Sequence, residues 1–231
     1  ASNNTSVGFA SMQSNTTGAN NVAVGYTSLD ANTTGASNTA VGYAALTANT
    51  TAASNVSIGA DSMTTNTTGA ENVAVGASAL YTNATTSYNV AIGAGALYTN
   101  AAANNTGVGY HALFANTTGT GNTALGKDAL DANTTASWNT AIGVQALSSN
   151  TTGASNTGIG VNSLFTNTTG TLNVAVGEQA LYNNNANNNV AVGYDALRAN
   201  TTGTGNTAVG YDALDANTTA SYNTALGYVA L

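Results

Sequence analysis

Along the whole chain, a three-residue cluster of small and branched aliphatics, a lone leucine and a run of Asn and Thr follow one another at fixed spacing. Residues 21–37 read NVAVGYTSLDANTTGAS, and residues 38–54 read NTAVGYAALTANTTAAS. The glycine after the aliphatic cluster recurs from Gly8 to Gly227 every 17 residues, except from Gly93 to Gly109 and from Gly177 to Gly193, where the interval is 16. Such a period governs the fold and is read before any element is assigned. Thirteen complete units run from Asn4 to Tyr222, and a nine-residue stub follows. The repeat therefore occupies residues 1–231 as a single domain. The two shortened units, 89–104 and 173–188, begin 84 residues apart, and 122–138 and 206–222 are nearly identical at the same spacing. Duplication of a five-unit block predicts a segment of a longer fibre, or one subunit of a filament.

We number each unit by columns 1 to 17, beginning at the Asn of NVAVG. Column 4 is always Val, Ile or Leu, column 2 is Val or Thr, and column 3 is Ala, Ser or Gly. This period of two predicts a short strand with columns 2 and 4 on one face. The larger side chains place columns 2, 4 and 9 (Val73, Val75 and Leu80, for example) in the expected core. Columns 6, 7 and 10 are expected to face solvent. Three core side chains per unit cannot bury a core alone, but stacked units can. The prediction is all-β: a parallel β-solenoid of about fourteen two- or three-sided coils. A helical turn over columns 6–12 is the alternative, weakened by its single leucine.

The polar positions agree. The chain has no proline, as suits strands bonded on both sides. Gly in column 5 suits a corner with φ > 0. Asn recurs in columns 1 and 12 of every complete unit; stacked along an axis, its amides can form hydrogen-bonded ladders. Both shortened units lose their residue within columns 13–17, where a loop absorbs a deletion without a register slip. Neither end carries a divergent capping unit, so the end strands are expected to accept further coils, from flanking sequence or from subunits stacked end to end.

Composition narrows the function classes. Lys127 and Arg198 are the only basic residues, and the net charge is −7. That excludes nucleic-acid binding by phosphate neutralisation. No apolar run reaches the length of a membrane helix, so no membrane insertion is expected. The chain has no cysteine, hence no disulfide staple.

The wording V-A-V-G-x-x-S-x-x-A at 22–31 resembles the S-V-A-I-G-x-x-S-x-A repeat of trimeric autotransporter adhesin heads. The N-T-A-V-G-Y-x-A-L…N-T-T-G wording is similar to repeats of bacteriophage tail fibres and related bacterial surface proteins. The resemblance covers essentially the whole chain through about six small-residue positions per unit. It implies a left-handed β-roll, a parallel homotrimer, and a place outside the cell, on the cell surface or on a virion. The NTTG segment makes each unit here roughly three residues longer than the adhesin repeat.

Candidate chemistry is sparse, and no catalytic residue, metal ligand or cofactor is expected. His111, the only histidine, falls in column 7 among Thr27, Asp61, Asp128 and Gln145, which reads as an exposed position. The pairs Asp128/Asp131 and Asp212/Asp215 read as solvated charges, with a shallow calcium site as the alternative. Aromatics align in columns 6 (Tyr26, Tyr43; Tyr194, Tyr211, Tyr228) and 10 (Tyr81, Tyr98, Phe114; Phe165, Tyr182). They read as stacked ladders, subunit contacts or sugar-binding strips. Asn-x-Thr recurs at Asn15, Asn32, Asn49, Asn66, Asn83, Asn116, Asn133, Asn150, Asn167, Asn200 and Asn217. These asparagines are either glycosylation acceptors on an exposed corner or members of a polar ladder.

The leading expectation is an extracellular structural fibre or adhesin segment that self-associates, as a homotrimer or a filament, and displays repeated contacts to a receptor or glycan. Lateral association is expected through columns 3 and 8 or the aromatic columns. Ice binding through Thr33, Thr50 and Thr67, and carbohydrate binding through the aromatic columns, are the alternatives. At one strand spacing per coil, fourteen coils would span about 65 Å.

Overall fold

The computed structural model describes all 231 residues, which form two compact units, Ala1–Thr118 and Gly119–Leu231. The first contains seven three-residue strands: β1 (Thr5–Val7), β2 (Val22–Val24), β3 (Thr39–Val41), β4 (Val56–Ile58), β5 (Val73–Val75), β6 (Val90–Ile92) and β7 (Thr106–Val108). The second contains seven more: β8 (Thr123–Leu125), β9 (Thr140–Ile142), β10 (Thr157–Ile159), β11 (Val174–Val176), β12 (Val190–Val192), β13 (Thr207–Val209) and β14 (Thr224–Leu226). Within each unit successive strands pair in parallel, column on column: Val24 opposes Val41, and Val75 opposes Ile92. The register survives the shortened coils, where Val90 opposes Thr106 and Val174 opposes Val190. The expected β-solenoid is thus present, with one strand per coil and no helix. The rest of each coil consists of bends and turns.

Backbone hydrogen bonds run along the solenoid axis in both directions. In the coil 21–37, the N–H groups of Val22, Leu29 and Ala31 donate forward to Asn38, Ala45 and Thr47, at 2.8, 3.0 and 3.1 Å. Those of Gly25, Thr27 and Ser37 donate backward to Val7, Phe9 and Ala19, at 2.8, 2.9 and 2.9 Å. Coils are thereby tied on both sides, which satisfies backbone groups that burial would otherwise leave orphaned. Columns 7, 9 and 17 adopt left-handed φ; Leu46, for example, has φ 54°. Each such residue costs about 1–2 kcal/mol, a strain the axial hydrogen bonds offset. Gly76 in column 5 has φ +136°, and a Cβ there would lie 2.6 Å from the carbonyl carbon of Gly93. Only glycine meets both demands.

The interior differs from the expected core in one respect. Column 9 is buried as expected, from Leu29 to Leu197, but the strand faces the other way. Column 3 (Ala23, Ala40, Ala74) is fully buried with column 8, whereas columns 2 and 4 point outward. The coil is too thin for the reverse arrangement. At Gly107, in column 3, an added Cβ would already lie 3.0 Å from the Ala112 carbonyl and 3.3 Å from Leu97 Cγ. Ser57 and Ser62, in columns 3 and 8, hydrogen-bond to each other across this gap at 3.0 Å. A methyl or hydroxymethyl group is the largest group that the wall accepts, so the branched residues go outside. Columns 3 and 8 therefore cannot form the lateral contact expected of them.

The remaining interior is polar. Asn in columns 1 and 12 is fully buried through the inner coils. Asn32 Nδ2 donates to Asn15 Oδ1 of the preceding coil at 2.9 Å and to its own coil's Gly35 carbonyl at 3.0 Å. Asn21 Nδ2 donates to the same Gly35 carbonyl at 2.8 Å, and Asn21 Oδ1 accepts the Asn38 N–H at 2.8 Å. The two asparagines thus close this coil on one carbonyl and link it to its neighbours. Both deletions fall at column 14, inside the predicted loop. Asn100 and Asn184 stay in place and bond a carbonyl two residues on, Ala102 at 2.6 Å and Ala186 at 3.0 Å.

Candidate interaction surfaces

The outward face of the strands is the first candidate surface. Its residues are Val, Ile, Leu and Thr only, repeated in register from coil to coil. Ile58 and Ile92 in the first unit are 39% and 40% exposed, and Ile159 and Val192 in the second are each 36% exposed. Contiguous exposed aliphatic surface of this kind marks an interaction site far more often than isolated exposed residues do. The sequence pattern signalled the strand but not this surface.

The aromatic columns form ladders, as expected. Ring centroids are 5.2 Å apart for Phe9–Tyr26, 5.5 Å for Tyr26–Tyr43 and 5.0 Å for Tyr81–Tyr98. Tyr98–Phe114, Phe165–Tyr182 and Tyr194–Tyr211 each lie at 5.1 Å, and Tyr211–Tyr228 at 5.3 Å. Because each ring faces its axial neighbour, its edge and hydroxyl, rather than its face, point away from the coil. A pyranose stacks on a ring face, so this arrangement does not favour the sugar-binding strips. Column 6 is exposed, while column 10 is half-buried, more so than expected. Arg198 lies over Tyr182, 5.9 Å from its centroid.

Column 17 carries exposed apolar residues that the sequence reading passed over. Tyr88, Trp138, Leu172 and Tyr222 are 58%, 67%, 58% and 84% exposed. Trp138 and Tyr222 lie over Gly121 and Gly205, where a Cβ would approach ring atoms to 2.6 and 2.8 Å. A glycine one coil before an aromatic, repeated 84 residues later, was the available signal. His111 follows the same rule. It lies over Gly95 and packs against Tyr110 and Phe114, with centroids at 3.8 and 4.5 Å. It is half-buried packing rather than the exposed position expected.

The Asn-x-Thr asparagines are not on an exposed corner. Asn32, Asn49, Asn66, Asn83, Asn116, Asn133, Asn150, Asn167 and Asn200 are fully buried, and Asn15 and Asn217 are half-buried. In the folded chain they are ladder members, and the carboxamide nitrogen a glycan would need points inward. The threonine reading changes too. The hydroxyls of Thr33, Thr50 and Thr67 donate to the next coil's carbonyls at 3.0, 3.2 and 2.9 Å. They are committed to the backbone rather than presented as free ice-ordering rows.

No group of three His, Cys, Asp or Glu side chains is placed to hold a metal ion, and neither unit carries a cavity. Asp128 pairs with Lys127 at 3.1 Å, and Asp195 with Arg198 at 3.6 Å. Burial raises the Asp131 carboxyl above its ordinary pKa, although Ser148 Oγ donates to it at 2.8 Å. A raised folded-state pKa means that charging Asp131 opposes folding. Its contribution is most favourable below the unfolded carboxylate pKa and is lost as pH rises through the folded value. Asp131→Asn should therefore melt slightly above the parent at pH 7, with the difference closing below about pH 4. Thermal unfolding of both proteins at pH 3, 5 and 7 checks this.

Compared with protein-family models, curated proteins and solved structures, the chain matches none of them.

Proposed function

We propose that this chain is a structural module of an extracellular fibre or adhesin, on a cell or virion surface, whose copies assemble through the outward aliphatic face of the strands. The exposure of Ile58 and Ile92 on the parallel ladder of the first unit, and of Ile159 and Val192 on that of the second, carries this reading. The face repeats at one strand spacing, about 4.8 Å, on every copy. Two copies in the same direction therefore match coil for coil. Burying it against itself would remove apolar area from water at about 25 cal/mol per Å². The resemblance to trimeric adhesin heads supports three copies around one axis. The repetition of one surface suits multivalent contact, in which weak sites add through avidity.

Sedimentation equilibrium tests the assembly. The parent should sediment at about three times the chain mass of 22.6 kDa. Replacing Ile58 and Ile92 together by Lys should yield a monomer with the parent's β-structure by circular dichroism, because both side chains already point outward. A parent that remains at 22.6 kDa across a hundredfold range of concentration overturns the proposal.

A further inference from the structure

In several coils, the backbone N–H groups at columns 13 and 14 point along the axis at a single oxygen of the next coil, and in the first coil column 15 joins them. The carbonyl of Thr33 accepts from Thr16 N, Thr17 N and Gly18 N at 3.0, 3.0 and 3.4 Å, and from Thr16 Oγ1 at 2.8 Å. The shortened coils lack a residue here, and the two of them meet the loss differently. In the coil 173–188 a side chain takes the place of the peptide. Asn185 Oδ1 accepts from Thr168 N, Thr169 N and Gly170 N at 3.0, 2.9 and 3.3 Å, and from Thr168 Oγ1 at 3.0 Å. The socket is thus specific for an oxygen and indifferent to whether that oxygen is a main-chain or a side-chain one.

Eighty-four residues earlier, the position of Asn185 is held by Ala101, which has no oxygen on its side chain. Ala84 N, Thr85 N and Thr86 N, the equivalent donors, have no acceptor within the protein. The coil that carries them is otherwise regular: its Ala84 carbonyl accepts from Thr67 N and Thr68 N at 2.8 and 3.3 Å. Its bends fall in the same columns as in the coil 21–37, and Ala84, Thr85 and Ala101 are exposed. Successive backbone N–H groups aimed at one point form an anion-binding concavity, and a charged acceptor there makes a stronger hydrogen bond than a neutral one.

We propose that Ala84–Thr86 form a binding site for an oxyanion, a carboxylate or phosphate group whose oxygen occupies the place that Asn185 Oδ1 fills in the second unit. It would give an otherwise repetitive surface one discrete ligand site, independent of the aliphatic face. Amide chemical shifts of the 15N-labelled full chain test it, during titration with sodium acetate or sodium phosphate against sodium chloride at matched ionic strength. Saturable shifts confined to Ala84, Thr85 and Thr86 are expected with acetate, phosphate or both, and not with chloride. The stronger of the two identifies the preferred group. Ala101→Asn should fill the socket from within and abolish the response, whereas Asn185→Ala should create a second responsive set at Thr168–Gly170. An absent response in the parent, an equal response to chloride, its persistence in Ala101→Asn, or no gain in Asn185→Ala each overturns the proposal.

Discussion

Leu147→Asp is expected to unfold the coils around it, with a loss of about 5 kcal/mol or more. Leu147 is fully buried, and its Cδ1 and Cγ would each lie only 3.4 Å from a methyl group at Gly158 on the neighbouring coil. Truncating a buried leucine already costs about 2–5 kcal/mol, and aspartate adds a charge with no partner inside a thin wall. Nor can the coil relax around it, because left-handed φ at column 9 fixes where the side chain points. The informative control is Ile159→Asp, twelve residues away but on the outward face. It should change the melting of the isolated chain by about 1 kcal/mol or less, while weakening association if copies pack through that face. Urea unfolding followed by circular dichroism reads both. If Leu147→Asp melts like the parent, the inside–outside assignment falls.

That pair also marks where sequence reading stopped. Strand positions, the buried leucine column, the asparagine ladders and the deletion-tolerant loop followed from spacing alone, because stacked identical units must place like residues together. The sense of the strand did not. A period of two states that columns 2 and 4 share a face, not which face is inside, and size suggested the wrong one. The answer lay in the width of the coil, set by Leu97, Ala112 and their equivalents, which no single unit announces. The Asn-x-Thr positions kept two readings, an exposed corner and a polar ladder, for a related reason. N-T-T reads locally as an exposed turn, yet its first residue turns inward to bond the carbonyl three residues on, as Asn32 does with Gly35 at 3.0 Å. The oxygen socket was less legible still. It depends on which residue the next coil presents, so Ala101 and Asn185 acquire meaning only once the coils are stacked.

The buried polar ladder should be as demanding as the leucine column, and Asn49→Asp is its sharpest test. Asn49 is fully buried; its Nδ2 donates to Asn32 Oδ1 at 2.9 Å and to the Ala52 carbonyl at 3.1 Å, and its Oδ1 accepts from Asn66 Nδ2 at 3.2 Å. Aspartate has nearly the same shape but replaces the donating NH2 by an oxygen. That one oxygen then faces the Asn32 oxygen and the Ala52 carbonyl with no proton between them. Burial and these neighbours both disfavour the carboxylate, so its folded pKa must rise above the unfolded value of about 3.9. The penalty is therefore smallest below that value, where the acid is protonated in both states and can still donate one hydrogen bond. It grows as pH rises through the folded pKa. At pH 7 the loss should be about 4 kcal/mol, within the range for breaking a buried polar network. At pH 3 it should be markedly smaller relative to the parent. Asn49→Ala should lose about 2–3 kcal/mol at every pH, since it orphans the Asn32 oxygen without adding charge. Melting curves of the three proteins at pH 3, 5 and 7 separate these cases. A pH-independent Asn49→Asp, or one as stable as the parent, would show that the ladder is a bystander and that leucine and backbone bonds alone hold the coils.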